Sequence, residues 1–471
     1  MDVCLRCVLR IGGITDYGAY ATAARKSADT VEEIVQEAKK PKTTNDCSET
    51  CPSCLGLLQD ETLTEIASKI NEHVQGKDYD YDSFTLAVYL PLSLLVRQHS
   101  LLLTKSSDAV KKDEIVVSTK DAVRWSLGPM LEELLNAPYK PHSDLLIAVY
   151  IVHPDCSRDL EFLAPYSKSK SVDGLTIGAV ELGLKSIADH EFKQMFPCPP
   201  ICPQVPCYVE EISCSYSSVY IAGRYNKYSR TLSQTPWVLD GMRKTESSIQ
   251  EMICDKLQAR LKASGVKFSS SGREDVDVRM LGSGRPFVAE FVDPHRSKVS
   301  QQELCVLQKE INESTDAVAV RDLQLIKKEE TSQLKEGEDA KRKTYSALIW
   351  SETPVTESDL AMLSGLKDVT LLQRTPLRVL HRRTLFTRPR TIFSMSATPA
   401  QGDDHHFKLT LTTQAGTYIK EFVHGDMGRT QPNLKTLLNG RDVDILLLDV
   451  QSIDINWPPP IENDQVKDHS F

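Results

Sequence analysis

Residues 272–279 read Gly-Arg-Glu-Asp-Val-Asp-Val-Arg, which sets acids between two arginines directly behind a glycine. A carboxylate that attacks carbon must be ionised near neutral pH while partly shielded from water, and a neighbouring arginine favours the charged form against desolvation. Gly272 lets the backbone turn sharply enough to present the acid. The pattern suits reactive-carboxylate chemistry on an anionic substrate, although a solvated polar turn can carry the same charges. The flanks help to decide between them. Ser248 with Glu251 makes a capping box, after which Ile249, Met252, Ile253, Leu257 and Leu261 recur at helical spacing. Pro286 to Val292 reads as a strand entered through its proline. The charged loop is therefore expected to join a helix to a strand, where it is held more rigidly than on a loop tip.

Gly272, Arg273 and Asp275 match, position for position, the Gly-Arg-X-Asp motif of pseudouridine synthases. Its continuation through Gly282-Ser283-Gly284-Arg285-Pro286-Phe287 resembles one branch, the archaeal and eukaryotic tRNA pseudouridine synthase ten family. Three further segments resemble that family: 224–230 with 234–237 (Arg-Tyr-Asn-Lys-Tyr-Ser-Arg, Gln-Thr-Pro-Trp), 373–383 (Gln-Arg-Thr-Pro-Leu-Arg-Val-Leu-His-Arg-Arg), and 415–426 (Ala-Gly-Thr-Tyr-Ile-Lys-Glu-Phe-Val-His-Gly-Asp). The likeness spans most of the chain. It implies an α/β (α+β) pseudouridine synthase catalytic fold with a mixed or antiparallel sheet, a THUMP-containing accessory domain and an N-terminal zinc-binding segment. The implied activity is isomerisation of uridine 54, uridine 55 or both in the TΨC arm of tRNA.

Composition bounds the alternatives. A chain of 471 residues is long enough for roughly three domains. Met1-Asp2-Val3 does not open a secretory signal, and the longest apolar run, Leu86 to Val96, is interrupted by Pro91 and Ser93. An intracellular protein, in nucleus, cytoplasm or both, with no membrane partner is expected, and a monomer. The formal net charge of −9 argues against indiscriminate nucleic-acid binding. Locally the balance reverses, because residues 371–390 hold six arginines and no acid, a footprint suited to phosphate. Neither a Walker loop nor a dinucleotide fingerprint is present. Pseudouridine formation needs no cofactor and no nucleotide, and a THUMP-associated methyltransferase would need a glycine-rich cofactor loop.

Twelve cysteines divide into a patterned and a scattered group. Cys4-x-x-Cys7 and Cys51-x-x-Cys54 each place two thiolates on a tight knuckle and are read as a structural zinc site, with Cys47 as a possible substitute ligand. Cys198, Cys202, Cys207 and Cys214 lack knuckle spacing. The expected organisation is a zinc-binding segment at 1–56, a THUMP-type tRNA-binding domain at 57–215, a catalytic domain at 216–460 and a tail at 461–471. Residues 8–46 are expected to form a helix and loop between the knuckles, and the charge-rich 300–342 a helix followed by a mobile hairpin. Strands are expected at Leu145 to Val152, through the alternating Phe407, Leu409 and Leu411, at Thr417 to His424, and at Ile445 to Val450 buried on both faces.

The resemblance assigns roles residue by residue. Asp275 is the catalytic carboxylate, acting by covalent attack or by stabilising a ribose-derived intermediate. Tyr345 stacks on the base and helps remove the C5 proton, although an aromatic before an apolar run also reads as core. Lys420, expected mid-strand, pairs with Asp275. Ile419 and either Leu447 or Leu448 floor the base pocket, or simply fill the core. Arg273 holds the extruded nucleotide. From the acid-free arginine stretch itself, Arg374, Arg378, Arg382 and Arg383 are expected to track the RNA backbone, a solvated basic face being the alternative. Asp277 competes with Asp275 and, two residues on in an extended loop, would point the other way, organising Arg279 or Arg273 instead. An RNA-binding adaptor, with catalysis secondary, is the alternative function.

Overall fold

The computed structural model describes residues 3–22, 49–105, 116–166, 172–335, 341–381, 383–400 and 402–461. The chain divides into two compact units, Met1–Ser217 and Ser218–Phe471.

In the first unit a three-stranded sheet runs in the order β1 (Phe84–Tyr89), β2 (Leu145–Val152), β3 (Tyr208–Tyr216), with β1 and β2 parallel and β2 and β3 antiparallel. Leu145, Ile147, Val149 and Ile151 alternate along β2 and are all buried. They share a core with Leu63, Ile66, Ile70 and Val74 of helix Asp60–Lys77 and with Leu127 and Leu131 of helix Thr119–Leu135. The spacing of those helical residues is the i, i+3, i+4 stripe that turns one helix face inward. Of the segment expected between the two knuckles, 23–46 lies outside the described residues. The part before it forms helices Leu5–Ile11 and Tyr17–Thr22.

The second unit is built on a ten-stranded sheet. Its strands are β4 (Val219–Lys227), β7 (Ala263–Ser270), β8 (Arg279–Pro294), β9 (Val318–Ile326), β10 (Arg342–Ser351), β11 (Lys367–Arg374), β12 (Thr387–Pro399), β13 (His406–Gln414), β14 (Thr430–Gln431) and β15 (Val443–Ile453). A separate two-stranded ribbon pairs β5 (Val238–Leu239) with β6 (Met242–Arg243). The order is β14-β11-β12-β13-β10-β15-β8-β4-β9, with β7 also on β8. Every pairing in it is antiparallel except the join of β15 to β8, where Asp449 lies opposite Arg279 and Val450 opposite Met280. The sheet is thus mixed, as expected. Phe407, Leu409 and Leu411 on β13 are fully buried, so the alternation in the sequence marks the inner face.

Four expectations change. Helix Ile249–Leu261 does not lead into the charged loop: Lys262 ends it in a left-handed conformation and β7 intervenes, so residues 271–278 connect the antiparallel strands β7 and β8. Residues 417–424 are not a strand. The Gln373 side chain both donates to the Tyr418 carbonyl and accepts from the Tyr418 amide, each at 2.9 Å. That occupies the groups a strand ladder would use, and helix Ile419–His424 follows, stopped by Gly425 at φ 81. Ile445 to Val450 is a strand but not buried on both faces, since Leu446 and Leu447 remain 49% and 42% exposed. In the charge-rich segment, helix Gln301–Ser314 carries a Ser300–Glu303 capping box and leads into β9 and a 3-10 turn at Lys328–Leu334, so the described part after the helix is not a hairpin. Residues 336–340 and 462–471 lie outside the described residues.

Candidate active site

The loop between β7 and β8 is fixed from beneath by a buried polar platform. Gly272 has φ +84, and a Cβ there would lie 2.9 Å from the Lys343 Nζ and 3.0 Å from an Arg285 nitrogen. The turn therefore brings backbone against the Lys343 and Arg285 cations in a left-handed conformation that favours glycine. Glu274 turns inward. Its carboxylate takes the Arg285 Nε at 2.7 Å and the Tyr225 hydroxyl at 2.9 Å, and Arg285 also donates to the Ser271 carbonyl at 2.7 Å. Gln234 donates to the Tyr225 hydroxyl at 2.8 Å and to the Gly272 carbonyl at 3.2 Å. Lys227, fully buried, donates to the carbonyls of Leu232, Asp275 and Val276 at 2.8 to 2.9 Å. Burial pushes its ammonium down to about 8, against the pull of Glu274, Asp277 and Asp275. With its polar groups satisfied, such a network rigidifies the loop it supports.

Above this platform Asp275 reaches the surface, its side chain 37% exposed. The Arg378 Nη1 donates to both Asp275 oxygens, at 3.0 and 3.2 Å, and the Lys420 Nζ lies 3.5 Å away. Lys420 sits closer to Asp277, at 2.7 Å. The Asp275 carbonyl accepts from the Val278 amide at 3.1 Å, so residues 275–278 form a turn and not an extended run. This corrects the expectation that Asp277 points away from Asp275: the turn brings both to Lys420. Asp277 bonds neither Arg279 nor Arg273. Burial would raise its carboxyl, but the hydrogen bonds and charge of Lys420 outweigh that and hold it below the usual value. Arg279 instead grips Asp449 at 2.7 and 2.9 Å, and Arg230 joins the same carboxylate at 2.6 Å. These bonds rivet the parallel join of β15 to β8. Gly282, at φ +57, passes so near β15 that a Cβ would lie 2.1 Å from the Gln451 carbonyl.

Tyr345, on β10, packs against the core of the unit. Burial pushes its hydroxyl up to about 12, opposed by the charge of Arg285. Arg285 of the platform thus acts electrostatically on the candidate base-stacking residue.

In the first unit the thiols of Cys4, Cys7, Cys51 and Cys54 are buried and lie within 4.8 Å of one another, close enough to hold one metal ion. The nearest described separations are 3.7 Å for Cys4 to Cys54 and 3.9 Å for Cys7 to Cys51. The knuckles are tied together by Arg10, which donates to the Ser53 hydroxyl at 3.2 Å, and by Arg6, which donates to the Leu58 carbonyl at 3.0 Å. Cys47 lies outside the described residues.

Residues 220–454 match the family model for the Pus10 C-terminal region, and residues 51–214 match that for the eukaryotic Pus10 N-terminal region. A human protein named tRNA pseudouridine synthase Pus10 is 45% identical, over 88% of this chain and 80% of its own length. The chain belongs to the Pus10 family. A Drosophila melanogaster protein named putative tRNA pseudouridine synthase Pus10 is 35% identical over 89% of this chain and 86% of its own. The Pyrococcus furiosus Pus10 is 36% identical over 52% of this chain and 60% of its own.

Within the Pus10 C-terminal match the expected site residues separate into three groups. Asp275, Lys420 and Arg378 meet. Arg273, Arg374 and Arg383 are exposed, and Arg382 lies outside the described residues. Ile419 and Leu448 are buried in the core at 4% and 7% exposure, whereas Leu447 is the exposed member of the leucine pair. Sequence reasoning gave no role to Glu274, Arg285, Tyr225, Gln234 or Lys227. All five stand inside segments that carry the Pus10 likeness, and that was the available signal. Their burial was not legible, because charged residues in a polar loop normally face water.

Proposed function

We propose that the protein is a tRNA pseudouridine synthase that isomerises uridine 54, uridine 55 or both in the TΨC arm, with Asp275 as the catalytic carboxylate. The observation that carries this is the presentation of Asp275 on a loop whose neighbour Glu274 is locked beneath it by Arg285 and Tyr225, in a chain of the Pus10 family. The reaction breaks the C1′–N1 bond, turns the uracil and forms a C1′–C5 bond, while the C5 proton leaves and N1 is protonated. Asp275 either attacks the nucleotide or stabilises the ribose-derived cation. Lys420 and Arg378 set two cations against its oxygens, which hold the carboxylate in place beside the bound nucleotide. Tyr345 stacks on the base and takes part in removing the C5 proton.

Arg273, Arg374, Arg382 and Arg383 supply cations for the RNA backbone, offsetting the few kcal/mol of unstacking that base extrusion requires. Leu447 presents an exposed apolar side chain suited to the base, with Ile419 and Leu448 supporting from the core. The first unit serves as a THUMP-type grip on tRNA. Its four thiols fit zinc: a tetrahedron with Zn–S bonds of about 2.3 Å sets sulfurs about 3.8 Å apart, beside the 3.7 and 3.9 Å found here. Cys4, Cys7, Cys51 and Cys54 would hold the ion, which would supply a cross-link between segments distant in the sequence.

Pseudouridine mapping on an unmodified tRNA transcript, with no cofactor added, tests the proposal. Conversion in the TΨC loop that vanishes with Asp275→Ala and persists in Asp277→Ala is expected. Tight tRNA binding without conversion by the wild-type protein would instead support the adaptor role.

A further inference from the structure

The segment after β11 carries a guanidinium that is already spoken for. Arg378, in the 3-10 turn Leu377–Val379, donates from Nε to the Glu421 Oε1 at 2.7 Å and from Nη1 to both oxygens of Asp275. Glu421 is 1% exposed, on helix Ile419–His424. Its second oxygen, Oε2, is buried and has no hydrogen-bond partner among the described residues. An ionised carboxylate in that position is unfavourable without a cation, and Arg378 is the cation it has. A planar guanidinium presents separate N–H groups to two carboxylates in a rigid fork, whereas the rotatable donors of an ammonium on its flexible stem fix no such geometry. Lys420 does not replace it, because its nearest acceptor is Asp277, at 2.7 Å, and Asp275 is 3.5 Å away.

We propose that Arg378 is a positioning residue for Asp275, with buried Glu421 as its anchor, and not an RNA phosphate contact. This deepens the assignment of Asp275 as catalytic carboxylate and rests on it. The placement of Arg378 gives the bridge a second consequence. Leu377 and Leu380 flank it at 43% and 36% exposure, and the same segment continues to Phe386, 63% exposed beneath the Arg388 guanidinium. Substrate contact with that segment therefore bears on the group that fixes the Asp275 carboxylate, coupling the seating of RNA to the geometry of the reacting oxygens. A misplacement of about 1 Å at a reacting group lowers a rate about 100-fold.

The test compares full-length wild type with Arg378→Gln, Glu421→Gln, their double variant, Arg378→Lys, Arg374→Gln and Asp275→Ala. Two quantities are measured for each: the single-turnover conversion rate at saturating tRNA transcript, and the tRNA Kd as a function of salt. Arg378→Gln and Glu421→Gln are each expected to lower the saturating rate about 10- to 100-fold with Kd within about twofold of wild type and the salt slope unchanged. The double variant is expected to fall no further than the worse single one, and Arg378→Lys to fail to restore the rate. Arg374→Gln is expected to weaken binding and flatten the salt slope by about one. Arg378→Gln that behaves like Arg374→Gln, with a wild-type rate at saturation, would overturn the proposal, as would a wild-type rate in Glu421→Gln. Conversion by Asp275→Ala would remove the underlying assignment and the proposal with it.

Discussion

Arg285 and Glu274 form an ion pair 2.7 Å long with both side chains 1% exposed, directly beneath the exposed carboxylate of Asp275. The residue next to the candidate catalytic acid therefore points the opposite way and serves as its foundation. Removing one partner of such a pair leaves an uncompensated buried charge, a loss of about 3–5 kcal/mol. Arg285→Met is expected to lower stability by that order and to abolish conversion. Glu274→Gln with Arg285→Met together should recover much of the stability but not the activity. Denaturant midpoints beside single-turnover rates check both halves.

Lys227 predicts that activity and stability part with rising pH. Its folded value, about 8, lies below that of an exposed lysine. Above pH 8 the unfolded chain binds the extra proton, so this group's contribution to stability rises with pH until the unfolded lysine also titrates. The neutral amine, however, has two N–H groups for three carbonyls, and one of those carbonyls belongs to Asp275. The conversion rate should fall as pH rises through 8 while the denaturation midpoint shows no matching loss. Lys227→Met is expected to be slow at every pH and to lack this limb.

Gly282→Ala should destabilise the second unit. The new methyl would lie 2.1 Å from the Gln451 carbonyl at a φ of +57, and backbone on both sides cannot yield cheaply. A loss of more than about 1–3 kcal/mol is expected, with Gly265→Ala, where nothing lies within 4 Å of the added carbon, as the mild comparison. Thermal melts of the two variants decide it.

Tyr345→Phe keeps the ring and removes the hydroxyl. General acid–base participation is worth about 10²- to 10⁴-fold, so a fall in that range in single-turnover conversion is expected, with tRNA affinity retained. An unchanged rate would assign the ring to stacking alone.

Chelation should act on the first unit. Metal analysis is expected to find one zinc per chain, lost with Cys51→Ser or Cys54→Ser. Because structural zinc contributes its binding free energy to folding, the unfolding transition of residues 1–217 should move to lower temperature while that of the second unit stays in place.

Whatever depends on near neighbours was legible in the order of residues alone. Ser248 caps its helix through the Glu251 amide, the serine half of the expected capping box, and the alternation of Phe407, Leu409 and Leu411 already marked an inner face. Two Cys-x-x-Cys pairs implied a four-thiol cluster, and the motif around Asp275 implied the carboxylate. Which charges pair was settled by packing between distant segments. The partners of Asp275 and Asp277 stand 103 and 143 positions away, at Arg378 and Lys420, and Gln373 turned an expected strand into a helix from 45 positions away. Local pattern reports the period of a chain, but a charge takes whichever opposite charge packing brings within about 4 Å, and burial then decides how strongly it holds. Glu274, between Arg273 and Asp275 in a polar stretch, reads as a surface residue until β4 and β8 close over it.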